Sequence, residues 1–191
     1  MRRNSMDFAL ADSSATEALG QALARSFPGA PRRGAATAGA AAAGAARPVD
    51  GSPGGVMYLQ GELGAGKTTC VRSLLRALGV AGLVRSPTYT LVETYSVAAL
   101  TCVHVDLYRL QSATEIDELG LRDLVGPGCL LLVEWPERGR TVLPPADVEL
   151  ILYYAGEARQ ARVTARTPLG SDWLENLGHD TSLSFYVSNL T

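Results

Sequence analysis

Cysteine is scarce in this chain of 191 residues, with Cys70, Cys102 and Cys129 making three. None stands in C-x-x-C spacing, and an odd set in apolar surroundings argues against a disulfide framework or a structural zinc site. Buried thiols in a reducing compartment are expected instead. Histidine is scarcer still, at two, which leaves no histidine-rich metal site. No apolar run approaches the roughly 20 residues of a membrane span. Arg2 and Arg3 are followed by Asp7 and Asp12 without the apolar block of a secretory signal, so a cytoplasmic protein is expected. Excess charge is also lacking: a net charge of −2 and a pI near 5.7 provide no basic field with which to grip nucleic acid directly. Any role on RNA then passes through a partner. Nowhere does lysine follow asparagine, so the guanine-reading N-K-x-D motif of GTPases is missing, and no internal repeat is visible.

Against these absences one stretch stands out. Val56-Met57-Tyr58-Leu59-Gln60 reads as a short apolar strand, and Gly61-Glu62-Leu63-Gly64-Ala65-Gly66-Lys67-Thr68 matches the phosphate-binding pattern G-x-x-x-x-G-K-S/T. Backbone N–H groups of Gly64, Gly66, Lys67 and Thr68 form a concave nest for phosphate oxygens. Lys67 reaches toward the β- and γ-phosphates, and the Thr68 hydroxyl is offered to Mg²⁺. Behind the turn, Val71, Leu74, Leu75 and Leu78 recur at helical spacing, and Gly79 ends the helix. The nucleotide-binding set expected from the loop is Glu62, Leu63, Gly64, Ala65, Gly66, Lys67, Thr68 and Thr69. Trp135, further along, is equally placed to stack near the nucleotide or to close the core.

The length suits one α/β domain covering residues 1–191. A capping box at Ser14-Ala15-Thr16-Glu17 predicts a helix through Phe27. Residues 29–55, mostly Ala, Gly, Pro and Arg, read as a low-complexity insertion too poor in large apolar groups to order itself. Pro87 predicts an extended entry into a strand from Tyr89 to Tyr95, followed by a hairpin and a return strand from Leu100 to Val105. That return strand delivers His104 and Asp106 on one face, because strand side chains repeat every second residue. A short acidic helix at Glu115 to Leu121 is capped by Ser112. Cys129 to Val133 is the uninterrupted apolar run of a strand buried on both faces, ending in Glu134-Trp135. Two more strands, Asp147 to Tyr153 and Arg159 to Ala165, extend the sheet. A last helix carrying Trp173, Leu174 and Leu177 is expected to start at Asp172, and Ser184 to Val187 either adds a strand or frays within a loosely ordered tail from about 179. A P-loop three-layer α/β fold follows, with a mixed, mostly parallel sheet and flanking helices. Its ligands gather at the carboxyl ends of the strands.

Phosphoryl transfer needs an acid to hold Mg²⁺ and a group to position the attacking water. Glu134 has the strand-end placement of the metal-holding acid, alongside Thr68. Asp106 has similar placement on another strand and is assigned to water positioning or to an outer contact with the metal; from the residues alone the roles of the two acids are interchangeable. Lys67 completes the catalytic set. His104 reads more readily as a packing residue than as a catalyst.

These segments together, Gly61 to Thr69, Ser86-Pro87-Thr88-Tyr89, His104-Val105-Asp106-Leu107-Tyr108-Arg109-Leu110, Glu118-Leu119-Gly120-Leu121 and Glu134-Trp135, closely resemble the bacterial TsaE family over Leu10 to about Leu177. The resemblance implies an ATPase of tRNA threonylcarbamoyladenosine biosynthesis, with ATP and Mg²⁺ as cofactors. It acts with TsaD and TsaB and meets tRNA only through that complex. By similarity Lys67, Thr68 and Thr69 bind phosphates and Mg²⁺, Glu134 contributes to the metal site, and Asp106 supports hydrolysis. Ser86 to Tyr89 form a switch-like loop, and the helix around Thr16 to Leu23 matches the family's N-terminal helix. The Ala/Gly-rich insertion and the tail after Gly178 depart from the family pattern without touching a motif. A small-molecule kinase, with Arg138 and Arg140 as lid arginines, and a nucleotide sensor without hydrolysis are the rival readings.

Overall fold

The computed structural model describes residues 4–31, 53–184 and Tyr186. Residues 32–52 of the insertion expected at 29–55, and residues 185 and 187 of the terminal strand expected at Ser184 to Val187, lie outside the described residues; Tyr186 is described, its N–H bonding the Leu183 carbonyl at 2.9 Å and its carbonyl accepting from the Ala9 N–H at 2.7 Å. Seven strands form one sheet: β1 (Ser5–Leu10), β2 (Gly55–Gln60), β3 (Val92–Val97), β4 (Leu100–Asp106), β5 (Cys129–Glu134), β6 (Val148–Ala155) and β7 (Ala158–Ala165). Their spatial order is β1-β7-β6-β2-β5-β4-β3. Strands β4, β5, β2 and β6 pair in parallel. Strand β1 shares their direction, because it and β6 both pair antiparallel with β7. Only β3 and β7 run the other way.

Alternate side chains of the central strands β2, β4 and β5 feed two cores, whereas β1, β6 and β7 feed one. Met57 and Leu59 of β2, Leu130 and Leu132 of β5 and Leu150 of β6 face α1 (Ser13–Ser26), α2 (Lys67–Leu78) and α4 (Pro168–Gly178). Val56, Tyr58, Val103, Val105, Leu131 and Val133 face the thinner layer of α3 (Ala113–Asp117) and the 3-10 turn Leu121–Leu124. Strand β5 is buried throughout, as its apolar run demands. In the thicker layer, Trp173 Nε1 donates to the Leu23 carbonyl at 2.8 Å and its ring lies 4.7 Å from that of Phe27. That contact clamps α4 onto α1. Cys70, Cys102 and Cys129 are free and buried as expected, and burial raises the thiols of Cys70 to about 12 and Cys129 to about 11. Among the described residues no helix is long and apolar enough to cross a membrane.

Several elements differ from the sequence expectation. The acidic helix runs Ala113–Asp117, not Glu115 to Leu121, and a separate 3-10 turn begins at Leu121. Strand β1 was not anticipated, although Met6, Phe8 and Leu10 alternate inward; its signal is short and precedes a stronger helix signal. Helix α1 is capped by Asp12, whose side chain accepts from the Ala15 N–H at 2.8 Å, and not by Ser14. A carboxylate in extended geometry satisfies one first-turn amide two residues before the expected box. Helix α4 starts behind Thr167, which accepts from the Gly170 N–H, with Pro168 in the first turn, and so earlier than Asp172. Strand β3 begins at Val92 and not at Tyr89, because the Leu91 N–H closes a turn onto the Pro87 carbonyl at 2.7 Å and Leu91 takes a φ of +64°.

Candidate active site

The parallel strands β2, β4 and β5 end together, and the site is built on those ends. From β2 the chain turns through Gly61 to Gly66 into α2. Gly66 sits at the helix N-cap with φ +110° and no side-chain capping bond. A Cβ there would meet the Thr16 methyl at 3.2 Å, and an L-residue would be strained in that left-handed conformation. The first amides of α2 therefore open onto the cleft without an intrahelical partner, which is the arrangement that receives an anion.

Lys67 is 4 % exposed. Its Nζ donates to the carbonyls of Gly61 at 2.7 Å and Glu62 at 2.9 Å, and lies 3.8 Å from the centroid of the Trp135 ring. Burial lowers its pKa, opposed by the charges of Glu134, Glu137 and Asp106. Next to it, the Thr68 hydroxyl donates to both carboxylate oxygens of Glu134, at 2.9 and 3.0 Å. Glu134 also meets His104 Nε2 at 2.8 Å, with both side chains buried. His104 Nδ1 is buried and has no partner among the described residues.

Asp106 and Glu134 are register partners at the ends of β4 and β5. Asp106 accepts from the Tyr108 N–H at 3.0 Å and from the Thr88 hydroxyl at 3.4 Å. Burial raises its pKa; the Tyr108 amide opposes that rise, the charge of Glu134 adds to it, and His104 and the Thr88 hydroxyl oppose it. Thr88 in turn shares a 2.7 Å hydrogen bond with Ser86. Trp135, at φ +60°, packs its ring 5.0 Å from Tyr108.

These groups enclose a cleft of about 250 Å³ lined by Leu63, Gly64, Gly66, Lys67, Thr68, Thr69, Thr88, Asp106, Tyr108, Glu134 and Trp135. Nearly all the residues expected from the sequence thus converge. The side chains of Glu62 and Ala65 do not line the cleft: Ala65 is fully buried beneath the loop, and Glu62 contributes its carbonyl to Lys67. A larger groove of about 960 Å³ runs between α1 and α2. It contains neither acid, so size alone misdirects here. His104, expected as a packing residue, is fully buried and in addition meets Glu134, a contact that its place two residues before Asp106 on the neighbouring strand could have suggested. The sequence reading missed Thr88 as a partner of Asp106, a contact across a turn that periodicity does not reveal. Arg140 pairs with Glu149 at 3.5 Å, and neither it nor Arg138 lines the cleft.

The side-chain oxygens that line the cleft are hard donors, among them the hydroxyls of Thr68, Thr69 and Thr88 and the carboxylates of Asp106 and Glu134, with no thiol in the lining. Among the described residues no group of three or more His, Cys, Asp or Glu side chains could hold a metal unaided. That set fits Mg²⁺, which is commonly held by one or two carboxylates together with substrate phosphates and water.

Comparison with known proteins gives a consistent result. Residues 10–163 match the family model described as threonylcarbamoyl adenosine biosynthesis protein TsaE. The tRNA threonylcarbamoyladenosine biosynthesis protein TsaE of Haemophilus influenzae is 44 % identical over 117 residues, which are 61 % of this chain and 74 % of that one. Its namesake in Synechocystis is 36 % identical over 142 residues, 72 % of this chain and 74 % of that one. The crystal structure of YdiB from Bacillus subtilis superposes with a TM-score of 0.64 at 24 % identity, covering 91 % of this chain and 94 % of that one. This last likeness establishes the fold.

Proposed function

Since the chain belongs to the TsaE family, we propose that it binds and hydrolyses Mg·ATP in tRNA threonylcarbamoyladenosine biosynthesis, supporting turnover of a TsaD–TsaB transferase complex. The relatives' names supply the pathway, and the site supplies the chemistry. The observation that carries the reading is the Thr68–Glu134 contact at 2.9 and 3.0 Å beside an uncapped helix N-terminus. A hydroxyl and a carboxylate are there preassembled next to an anion cradle.

In this reading the amides of Gly64, Gly66 and Lys67 receive the phosphates. Lys67 exchanges the carbonyls of Gly61 and Glu62 for the β- and γ-phosphate oxygens, a better match for its charge. Thr68 and Glu134 hold Mg²⁺, and His104 fixes the orientation of the Glu134 carboxylate. When bound, the ion neutralises charge on the phosphate oxygens. Asp106 orients a water toward the γ-phosphorus. The bond from phosphorus to the β–γ bridging oxygen breaks as the water oxygen bonds, and the water's proton passes to Asp106 or solvent. Contact with tRNA runs through the complex, in keeping with the net charge of −2, and the setting is cytoplasmic.

Lys67 is the only lysine in the chain, which makes a direct test available. Mg·ATP is expected to protect Lys67 from an amine-acylating reagent, read by mass spectrometry, and Lys67→Ala is expected to abolish binding in calorimetry. Phosphate release from ATP should rise on adding TsaD and TsaB. Binding with no hydrolysis under either condition would reduce the protein to a nucleotide-sensing module, and absence of ATP binding in the wild type would end the proposal.

A further inference from the structure

An outer strand turns one row of backbone N–H and C=O groups away from its sheet, and folded proteins blunt such an edge with lysine, proline, a bulge or a covering segment. Strand β1 is the outer strand on one side of the sheet and pairs with β7. Just before it, the Asn4 carbonyl accepts from the Ala165 N–H at 3.0 Å. By alternation the backbone groups of Ser5, Asp7 and Ala9 point the other way, off the sheet. Residues 5–10 include no Lys, Pro or Gly. Their single charge, on Asp7, is neutralised by Arg162 at 2.7 Å. The strand therefore carries no deterrent of its own.

The far end of the chain covers this edge. Past α4 comes the 3-10 turn Thr181–Leu183, after which the Tyr186 carbonyl accepts from the outward Ala9 N–H at 2.7 Å. That bond shows that the edge receives an extended segment. Leu183 is 1 % exposed and joins the same core as Phe8 and Leu10, with Tyr186 packed against that core. From the last turn of α1, Arg25 meets Asp180 at 2.8 Å and the Ser182 hydroxyl at 2.7 Å. Arg25 is 42 % exposed, and a surface pair of that kind holds weakly. The cover thus rests chiefly on one buried leucine and one backbone bond, a lighter fastening than the ladder that joins β1 to β7 over six residues.

We propose that Asp180–Ser184 and Tyr186 are a releasable cover, and that the β1 edge beneath them is an interaction surface that pairs antiparallel with the β1 edge of a second copy. The occupant follows from the edge. Two identical edges related by a two-fold axis satisfy each other's outward groups at once, and such a pair closes on itself. The exposed Ala9 is small enough for close approach, and the Asp7 charge is already met by Arg162. The inference is independent of what the cleft binds.

Light scattering across size-exclusion peaks, at rising protein concentration, tests it. The wild-type chain is expected at its 20.1 kDa throughout. Arg25→Ala combined with Leu183→Asp in the full chain loosens the cover, and a chain ending at Gly178 removes it. Both are expected to double in mass as concentration rises. Ala9→Lys in either background is expected to restore the single-chain mass, because lysine on an edge strand opposes pairing. Near-ultraviolet dichroism from Trp173, which packs on Phe27, checks that each variant keeps its core; if neither does, Arg25→Ala alone carries the test. Loosened variants that stay monomeric at every concentration overturn the inference, and so does a wild type that is already a dimer. Association that Ala9→Lys fails to relieve overturns it in favour of the apolar patch that Leu183 vacates. Growth beyond the dimer overturns the closed two-fold pair.

Discussion

Glu134 and Asp106 stand side by side in register at the ends of β5 and β4, yet the chain secures them by different means. Glu134 is held by regular elements: Thr68 comes from the first turn of α2 and His104 from the interior of β4, at 2.8 to 3.0 Å. Asp106 is held by irregular chain, namely the Tyr108 amide just past its own strand and the Thr88 hydroxyl from the turn before β3, the latter at a long 3.4 Å. A ligand that must keep fixed distances to a metal benefits from the first kind of support. A group that tightens onto water only when the nucleotide is present can use the second. This contrast is what favours Glu134 for the ion and Asp106 for the water.

The largest expected effect breaks the rigid half. Glu134→Gln should lower phosphate release by about 10²–10³-fold and flatten its dependence on Mg²⁺ concentration, read in a Mg²⁺ titration at saturating ATP. Asp106→Asn should lower turnover by about 10²-fold, while ATP affinity in the presence of Mg²⁺ stays within about threefold. Loss of Mg²⁺-dependent ATP affinity in both variants alike would erase the distinction between the two acids.

The same contrast explains what the sequence could reveal. Elements whose signal is local, such as the glycine turn into α2, the buried run of β5 and the cap at Ser112, were legible because a few adjacent residues decide them. So was the placement of both acids, since a strand followed by a carboxylate carries its own position. The partners of those acids were not legible. His104 touches Glu134 across 30 residues and Thr88 touches Asp106 across 18, and only the sheet order β5-β4-β3 makes them neighbours. Strand β1 escaped notice for a related reason: among the described strands its six residues pair with β7, the strand that lies farthest away in sequence.

A smaller effect concerns pH. Burial raises the Asp106 pKa in the folded protein above its ordinary 3.8, so between the unfolded and folded values the native state binds the extra proton. Stability then falls as pH rises through that window, and the charged form is tolerated at a cost above it. Urea midpoints measured from below pH 4 upward should therefore decline for the wild type relative to Asp106→Asn, which has no proton to lose there. Hydrolysis should show the converse, an acid limb lying above the ordinary aspartate range, because water positioning needs the carboxylate. That limb should vanish from the residual activity of Asp106→Asn. A wild-type profile flat down to the ordinary aspartate range would contradict the burial argument.

The smallest expected effect probes the loop half alone. Thr88→Val keeps the shape of the side chain and removes the hydroxyl that meets Asp106 at 3.4 Å and Ser86 at 2.7 Å. A bond this long is weaker than the ~1.5–3 kcal/mol of a good hydrogen bond to a charged group, so turnover should fall only about two- to fivefold and ATP affinity should hold. The sign of the accompanying pH shift is the sharper reading. The Thr88 hydroxyl lowers the Asp106 pKa, so its loss should move the acid limb of hydrolysis to higher pH. Glu134 has its own donors in Thr68 and His104, so the Mg²⁺ dependence should stay where it was. Movement of the Mg²⁺ dependence with the acid limb would mean that the two carboxylates respond as one unit, and the division between a rigid metal side and an adjustable water side would no longer hold.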